Sequence, residues 1–210
     1  MSEKRTHSIH IGIDFDNTIV GYDHVFLQSA KENKLILENF SGGKKDVRDH
    51  ILARENGFEE WMRLQGQVYG RQISKATMID GVAGFMRECR EREIPMSVIS
   101  HKTEHPHFDP ETNLQKVAFD WMVERGFFEN DGFALKPENV HFEVTRTLKV
   151  ERIAFEKCSH FVDDLVEIFE HPSFPEDVQS YLLSAECERN CSETVTVCGS
   201  WREIEGAIFG

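Results

Sequence analysis

A short apolar run that ends at an acidic residue constrains the fold of this chain more than any other feature. The run extends from Ile9 to Ile13, is interrupted only by His10 and Gly12, and is followed directly by Asp14. A run this short and rich in β-branched residues is typical of a buried strand in a parallel sheet. We therefore expect a strand whose carboxyl end presents a carboxylate.

Strand-like and helix-like segments alternate through the rest of the chain. Helices are predicted from residue 82 to 89, from 114 to 122, from 145 to 157 and around Trp201 to Ile208, on apolar positions spaced three and four apart. Further strands are predicted at Met96–Ile99, Val140–Val144, His160–Val162 and Val195–Val197. This alternation predicts an α/β fold, a Rossmann-like and mostly parallel sheet with helices on both faces.

Residues 21–79 differ from the rest of the chain because consecutive helices are predicted there. Three helices are predicted here, Asp23–Lys34, Lys44–Asn56 and Phe58–Tyr69, separated by glycines. We interpret this segment as a small helical cap insertion. The predicted division is a catalytic core of residues 1–20 and 80–210, with a cap of residues 21–79.

Charge and hydropathy narrow the range of partners. The chain carries 24 basic and 37 acidic residues, a net charge of −13, without a basic stripe, which argues against nucleic-acid polymers. No apolar run approaches the roughly 20 residues of a membrane span, and Met1 to His7 lack the apolar segment of a secretory signal. A cytoplasmic location and no membrane partner are expected, and the oligomeric state is left open.

Five cysteines, an odd number, favour reduced thiols in such a chain. The spacing of Cys187, Cys191 and Cys198 differs from a zinc knuckle, and no histidine lies near them in sequence. A structural zinc site is therefore disfavoured.

Polar side chains follow the predicted strands where each strand ends. The first strand leads into Asp14, Asp16, Asn17 and Thr18. Ser100 ends the second, Lys149 enters the helix after the third, and Asp163 and Asp164 end the fourth. Ligands of open α/β sheets bind at the carboxyl ends of the strands, so these groups are expected to converge.

The chemistry of these groups is complementary. Four carboxylates in one crevice are costly unless a cation neutralises them, and oxygen ligands suit Mg²⁺. A hydroxyl and an ammonium group remain to hold an anion, which together describes phosphoryl transfer. Any one of these residues alone would more often be a solvated turn or a helix cap, so the prediction depends on the whole set.

The same residues resemble the motifs of the haloacid dehalogenase superfamily. Ile13-Asp14-Phe15-Asp16-Asn17-Thr18-Ile19 resembles the first motif, and Phe161-Val162-Asp163-Asp164 resembles the fourth. Ser100 and Lys149 resemble the second and third motifs, which are less specific. Lys136, followed by a proline, is an alternative third-motif lysine, but Lys149 is preferred because it follows the third strand and enters a helix.

The resemblance implies a role for each matched residue. Asp14 is the nucleophile that forms an aspartyl-phosphate, and Asp16 is the acid and base. Asp14, the Asp16 carbonyl and Asp163 ligate Mg²⁺, and Asp164 ligates through water or orients the other ligands. Ser100 and Lys149 hold the phosphoryl oxygens. Asn17 and Thr18 of the first motif are further candidate phosphate-binding residues, and Thr18 also stabilises the turn of that motif. Dehalogenases of this fold lack an acid at the position of Asp16, so a phosphatase or phosphomutase is implied.

Substrate selection is expected from the cap and from the segment after Ser100. Gln65 and Arg71 are the preferred cap candidates. The others considered are Arg48, Trp61, Arg63 and Tyr69. In the loop from His101 to Asp109, His101 or Lys102 is expected to contact substrate, and its three histidines leave open a second metal.

We therefore expect a magnesium-dependent phosphohydrolase acting on a small phosphomonoester. A sugar phosphate is the first choice of substrate. A nucleoside monophosphate, whose base Trp61 and Tyr69 could stack on, is the second. A phosphomutase and a non-catalytic module that binds a phosphorylated ligand remain alternatives.

Overall fold

A computed structural model describes residues 9–184 and 194–210 of the chain. The predictions made for Met1 to His7 and for Cys187 and Cys191 lie outside these residues. Cys89, Cys158 and Cys198 are buried free thiols. Among the described residues, no helix has the length and apolar character needed to cross a membrane.

The larger of two compact units is built on a six-stranded parallel sheet. Its strands are β1 (Ile11–Ile13), β4 (Met96–His101), β5 (Val140–Glu143), β6 (His160–Asp163), β7 (Gln179–Leu183) and β8 (Val195–Cys198). Their order is β5-β4-β1-β6-β7-β8, and every neighbouring pair is parallel. The α/β class and the parallel sheet are confirmed.

In the part of this unit that the structure describes, there are four α-helices. They are α4 (Val82–Glu91), α6 (Arg146–Phe155), α7 (Val166–Phe169) and α8 (Trp201–Phe209). Helix α6 packs on β4 and β5, and α8 packs on β7, β8 and α4. The central strand β1 is wholly buried, and Gly12 allows close packing there, since a Cβ atom would lie 2.5 Å from the Phe161 ring.

All five predicted strands form, but β7 was missed. Its sequence, Gln179-Ser180-Tyr181-Leu182-Leu183, begins with two polar residues and follows a polar, proline-containing segment. Only its position between β6 and β8 buries Ser180 to Leu182. A strand whose burial comes from its neighbours carries little signal in its own sequence.

The second unit comprises Val20–Thr77 and Lys102–Arg125. Its helices are α1 (Asp23–Glu32), α2 (Lys44–Leu52), α3 (Gly57–Tyr69) and α5 (Leu114–Glu124). A short ribbon pairs β2 (Val20–Gly21) with β3 (Thr77–Met78). The first three helices pack pairwise, around a core in which the rings of Phe26 and Trp61 stack 5.1 Å apart.

Residues 102–125 join this unit through contacts with α3 and the segment that follows it. Helix α5 packs on a short 3₁₀ helix at Ile73–Lys75, and the buried Trp121 indole donates to the carbonyl of Ala76 at 3.3 Å. Pro106 lies so close to Gly66 that a Cβ on the glycine would approach it to 2.8 Å. The sequence-based boundaries place residues 102–125 with the core instead.

Candidate active site

Three adjacent strands in the middle of the sheet bring together the central polar residues. Asp14 directly follows β1, Asp163 is the last residue of β6, and Ser100 is the next-to-last residue of β4. Strand β1 lies between the other two, where the order of strands along the chain reverses. Such a switch point is the usual ligand site of an open parallel sheet.

Lys149 reaches this point from the first turns of α6. The helix is capped by Thr145, whose hydroxyl accepts a hydrogen bond from the Leu148 amide at 3.1 Å. The Lys149 ammonium donates to Asp14 Oδ1 at 2.5 Å and to Asp163 Oδ2 at 2.6 Å. All three side chains are buried, at 1% exposure for Lys149, 4% for Asp14 and none for Asp163.

Burial and charge act on these groups in opposite directions. Burial alone would lower the pKa of Lys149, but the carboxylates of Asp14 and Asp163 outweigh it, and the net shift is upward. Burial raises the pKa of Asp163, and the Asp14 carboxylate adds to the rise while Lys149 opposes it. The Asp163 pKa lies above its usual range because burial, together with the Asp14 carboxylate, outweighs the Lys149 ammonium.

The arrangement suits a hard divalent cation. Asp14, Asp163 and Asp164 offer carboxylate oxygens within 4.8 Å of one another, the only such metal-ligating group among the described residues. Three carboxylates and the single Lys149 ammonium leave two negative charges in excess, which a divalent ion would neutralise. The Leu165 amide donates to Asp163 Oδ1 at 3.0 Å and holds that carboxylate in place.

Two buried hydroxyls, one on β4 and one in the turn after β1, lack a hydrogen-bond partner among the described residues. The Ser100 Oγ and Thr18 Oγ1 atoms are both inaccessible and make no hydrogen bond within the described part of the chain. An unpaired buried hydroxyl costs about 1–3 kcal/mol, so such a group is expected to have a ligand or water partner. The structure therefore leaves donors in this crevice for an anion.

The remaining residues of the first motif form a tight turn. Asp16 is half-buried, and Asn17 has a φ of +60°, in the left-handed region that asparagine tolerates. The Thr18 carbonyl accepts a hydrogen bond from the Trp201 indole at 2.9 Å, which ties the turn to α8.

Lys136, the alternative third-motif lysine, is placed elsewhere. It is exposed and precedes a 3₁₀ helix at Pro137–Asn139, before the amino end of β5. The carboxylates lie at the opposite, carboxyl ends of the strands. Of the two lysines, the geometry favours Lys149 for a role in this site.

The residues considered for substrate selection in the second unit lie at separate positions, and most of them form ion pairs with other side chains. Arg71 is exposed and forms an ion pair with Asp109 at 2.9 Å, and Gln65 is half-buried on α3. Lys102 is buried, with its ammonium 5.2 Å from the centre of the Tyr69 ring. The other arginines considered pair within their own helices, Arg48 with Asp49 and Arg63 with Glu59.

The aromatic residues and histidines considered for binding are placed as follows. Trp61 is 6% exposed and stacked on Phe26, so it offers no free face for a nucleotide base. His101 is exposed at the end of β4, and His105 lies 3.0 Å from the Thr112 carbonyl oxygen. Within the described residues, the histidines of this loop do not assemble a metal-ligating group.

Sequence reasoning missed two parts of the environment. The Leu165 amide that holds Asp163 is a backbone group, which carries no sequence signal. The second is the close contact between Gly66 of α3 and Pro106 in the loop after Lys102. Its only sequence signal is an isolated glycine within a helix pattern, which can mark a position where another segment packs closely.

Comparison with known proteins places the fold. No protein-family model and no curated protein matches the sequence. Solved structures match over nearly the whole chain. One is the HAD-hydrolase YfnB from Bacillus subtilis, bound to magnesium, with 11% identity and a TM-score of 0.62 over 98% of this chain and 100% of that one.

Two further structures show the same similarity. A HAD family hydrolase from Deinococcus radiodurans, with bound phosphate and sodium, has 15% identity and a TM-score of 0.54 over 95% of this chain and 94% of that one. A protein from Haemophilus somnus, described as a predicted phosphoglycolate phosphatase, has 11% identity and a TM-score of 0.55 over 96% and 99%. The chain therefore has the fold of the haloacid dehalogenase-like hydrolases.

Proposed function

We propose that this protein is a magnesium-dependent phosphohydrolase of the haloacid dehalogenase type, acting on a small phosphomonoester. The observation that carries the proposal is the buried Lys149 ammonium bonded to both Asp14 and Asp163 at the switch point of the sheet. A nucleophilic carboxylate, a metal-ligating group and donors for an anion meet there. The neighbours of this fold with bound magnesium and bound phosphate support the same reading.

In the proposed mechanism, Asp14 attacks phosphorus while Asp16 gives its proton to the leaving oxygen. Asp16 then takes a proton from water, which attacks the aspartyl-phosphate and frees Asp14. Asp14, Asp163 and Asp164 would hold Mg²⁺, with the backbone carbonyl of Asp16 as a further ligand. When bound, the ion neutralises phosphoryl charge and orients the transferred group.

Lys149 and Ser100 would stabilise the oxygens on which charge develops. The Ser100 hydroxyl is buried and lacks a protein partner in the described residues, so a phosphoryl oxygen can accept its hydrogen bond. Lys149 donates to two carboxylates already, and its third proton remains for a phosphoryl oxygen. Fixed donors of this kind are worth about 10²- to 10³-fold in rate each.

A sugar phosphate is the proposed substrate. A nucleoside monophosphate is less well supported, because Trp61 is enclosed in the aromatic core of its unit. Contacts by His101, Lys102, Gln65 and Arg71 with the substrate remain part of the proposal, with the helical cap as the selecting element.

Phosphate release tests the proposal. The wild-type protein should hydrolyse an aryl phosphate with Mg²⁺, lose turnover in a chelator and regain it when Mg²⁺ is restored. Asp14→Asn should abolish turnover and leave no phosphoenzyme. Full turnover without metal, or near-normal turnover by Asp14→Asn, would contradict the mechanism. No turnover by the wild-type protein on any phosphomonoester tested would favour a non-catalytic binding module instead.

Asp16→Asn should fail in a different way. It keeps the nucleophile but loses the acid–base group, which typically contributes about 10²- to 10⁴-fold. An aryl leaving group needs little protonation, so Asp14 should still be phosphorylated and the intermediate should accumulate. Mass spectrometry of the trapped protein should find the phosphate on the peptide containing Asp14; a phosphoserine or phosphohistidine would refute the assignment.

A further inference from the structure

Two lysines of the second unit lie over the same aromatic ring. The Lys102 ammonium is 5.2 Å from the centre of the Tyr69 ring, and the Lys44 ammonium is 5.5 Å from it. Lys44 is also 5.6 Å from the centre of the Phe26 ring. An ammonium group at such a distance is attracted by the negative face of an aromatic ring. Two positive charges that are far apart in sequence are therefore held beside one ring.

The ring itself is fixed by its aromatic neighbours. Tyr69 packs edge-to-face on Tyr22, with ring centres 4.9 Å apart, and on Phe26, with ring centres 5.5 Å apart. Tyr22 and Phe26 are both buried, whereas Tyr69 is half-buried. Tyr69 therefore lies at the margin of the aromatic core of its unit, and the two ammonium groups lie beside it.

The backbones that carry the two lysines are also anchored. Lys44 is the first residue of α2, and its amide donates to Asp23 Oδ1 at 3.0 Å. The Lys102 carbonyl accepts a hydrogen bond from the Gln115 side chain at 2.9 Å. Cations that are positioned before a ligand arrives lose less conformational freedom when it binds. The arrangement is therefore that of a preformed binding site.

The charge of this site favours an anion as its ligand. The chain has a net charge of −13, so it repels small anions unless cations are concentrated where they bind. Lys102 is buried and Lys44 is half-buried, and charges in such positions are screened less by salt than exposed ones are. Two such ammonium groups provide the local positive charge that an anionic group requires.

The chain itself keeps one of these lysines near the proposed phosphate-binding hydroxyl. Lys102 follows Ser100 by two positions, so their Cα atoms are at most about 7 Å apart. Lysine carries its charge on a flexible four-carbon stem, which extends this reach. A ligand of the size of a sugar phosphate is long enough to bind at both residues.

We propose that Lys44 and Lys102, placed by the Tyr69 ring, bind a second anionic group of the substrate, a carboxylate or a phosphate other than the one that is cleaved. The inference rests on the proposed function. It narrows the substrate to phosphorylated sugars and related alcohols that carry a further negative charge.

Three phosphates of the same six-carbon chain test the proposal. They are sorbitol 6-phosphate, 6-phosphogluconate and sorbitol 1,6-bisphosphate, whose far ends are a hydroxymethyl group, a carboxylate and a second phosphate. Phosphate release is measured with Mg²⁺. The wild-type kcat/KM should be roughly 10- to 100-fold higher for at least one of the two doubly anionic esters than for sorbitol 6-phosphate, the scale of hydrogen bonds to a charged group. The ester that is preferred identifies the second group as a carboxylate or a phosphate.

Removal of each lysine tests the residues. Lys44→Met and Lys102→Met keep an unbranched apolar chain without the charge, and each should reduce the preference by roughly 3- to 10-fold. The preference is a ratio of two esters on the same protein, so a smaller folded fraction leaves it unchanged. Lys44→Arg keeps the charge and should retain most of the preference, which separates loss of charge from loss of packing.

A neighbouring lysine provides the matched control. Lys45 is the next residue of α2 and is exposed. Lys45→Met removes the same charge from the chain and should keep the wild-type preference. An equal reduction in Lys45→Met and Lys44→Met would mean that the net charge of the chain, and not this site, sets the preference, and it would overturn the proposal.

The remaining outcomes separate this inference from the function on which it depends. Equal wild-type kcat/KM values for the three esters, or an unchanged preference in either Lys44→Met or Lys102→Met, would overturn the anion site and leave a phosphohydrolase. A preference for the bisphosphate no larger than its second cleavable ester explains, without one for 6-phosphogluconate, would do the same. Absence of hydrolysis of all three esters and of an aryl phosphate would overturn both proposals.

Discussion

At the scale of a single residue, Lys149 neutralises buried charge and also positions two side chains of the proposed active site. An ammonium wholly removed from water is stable only because Asp14 and Asp163 each accept one of its protons. The same two bonds position the proposed nucleophile and one of the proposed metal ligands. The stability of the fold and the proposed activity therefore both depend on the charge of one side chain.

Replacing Lys149 by Met should destabilise the fold strongly. Removing one partner of a buried ion pair leaves uncompensated charge, which costs about 3–5 kcal/mol. The free energy of unfolding, measured in urea without metal, should fall by that amount, whereas the exposed Lys136→Met should change it by no more than about 0.5 kcal/mol.

Magnesium gives the second readout for the same pair of variants. Because Mg²⁺ would neutralise the carboxylates that Lys149 no longer pairs, it should raise the melting temperature of Lys149→Met more than that of wild type. If Lys149→Met is as stable as Lys136→Met, the ion pairs of Lys149 with Asp14 and Asp163 do not stabilise the fold.

At the scale of elements, three histidines in or beside the strands have a pKa below the usual value for histidine. Burial lowers the pKa of His10, which precedes β1, of His141 in β5 and of His160 at the start of β6. His10 also bonds to the Ser97 hydroxyl at 2.9 Å, and the His160 ring stacks on Tyr181 with centroids 5.9 Å apart. Burial therefore favours the neutral form of these rings in the folded protein.

The consequence is a loss of stability in mild acid. Unfolded histidine has a pKa of about 6.5, so as pH falls below that value the unfolded chain binds more protons than the folded one, and the free energy of unfolding decreases. These rings lower the urea midpoint between pH 7.5 and 5.5, whereas the raised pKa of Asp163 acts in the opposite direction over the same range. The loss of midpoint on acidification should therefore be larger for wild type than for His160→Phe, and His107→Gln, at an exposed ring, should behave like wild type. An equal loss in wild type and His160→Phe would contradict the neutral state of the His160 ring.

At the scale of the whole molecule, the second unit is made of two separate stretches of chain. The loop after Lys102 and helix α5 pack on α3 and on the turn at Ile73–Lys75. Arg125 donates to the carbonyl oxygens of Ser74 and Ala76, both at 3.2 Å. The chain therefore passes between the two units four times, rather than twice as in a simple insertion.

Deletion of residues 23–75 distinguishes these two organisations. If the cap consists of residues 21–79 alone, the protein left after the deletion should fold with its apolar surface covered. With the observed packing, deletion uncovers the apolar residues of α5, including Leu114 and Trp121, which are buried in the intact protein. We expect the deletion variant to bind a hydrophobic dye strongly and to associate, measured by dye fluorescence and light scattering. A monomeric, dye-silent variant with an intact circular dichroism spectrum would support the sequence-based boundaries.

The sequence by itself determined the strands and helices that have a local pattern of apolar and polar residues. Strand β1 and the carboxylates that follow it are visible because a short β-branched run ending in acids is a local pattern, and the five strands predicted from such runs all form. The amphipathic helices are visible for the same reason, since each carries its own period of apolar residues.

Only the tertiary structure decided what depends on contacts distant in sequence. The bond between Lys149 and Asp14 spans 135 positions. Its place after the third strand made Lys149 the preferred lysine in the sequence, but only the tertiary structure shows the bond. Strand β7 is buried by its neighbours, and α5 packs within the second unit through contacts such as that of Trp121 with Ala76, 45 positions away. Local patterns determine which helices and strands form. Which of them pack together depends on whether the assembled chain can pair its buried charges and cover its apolar faces at the same time.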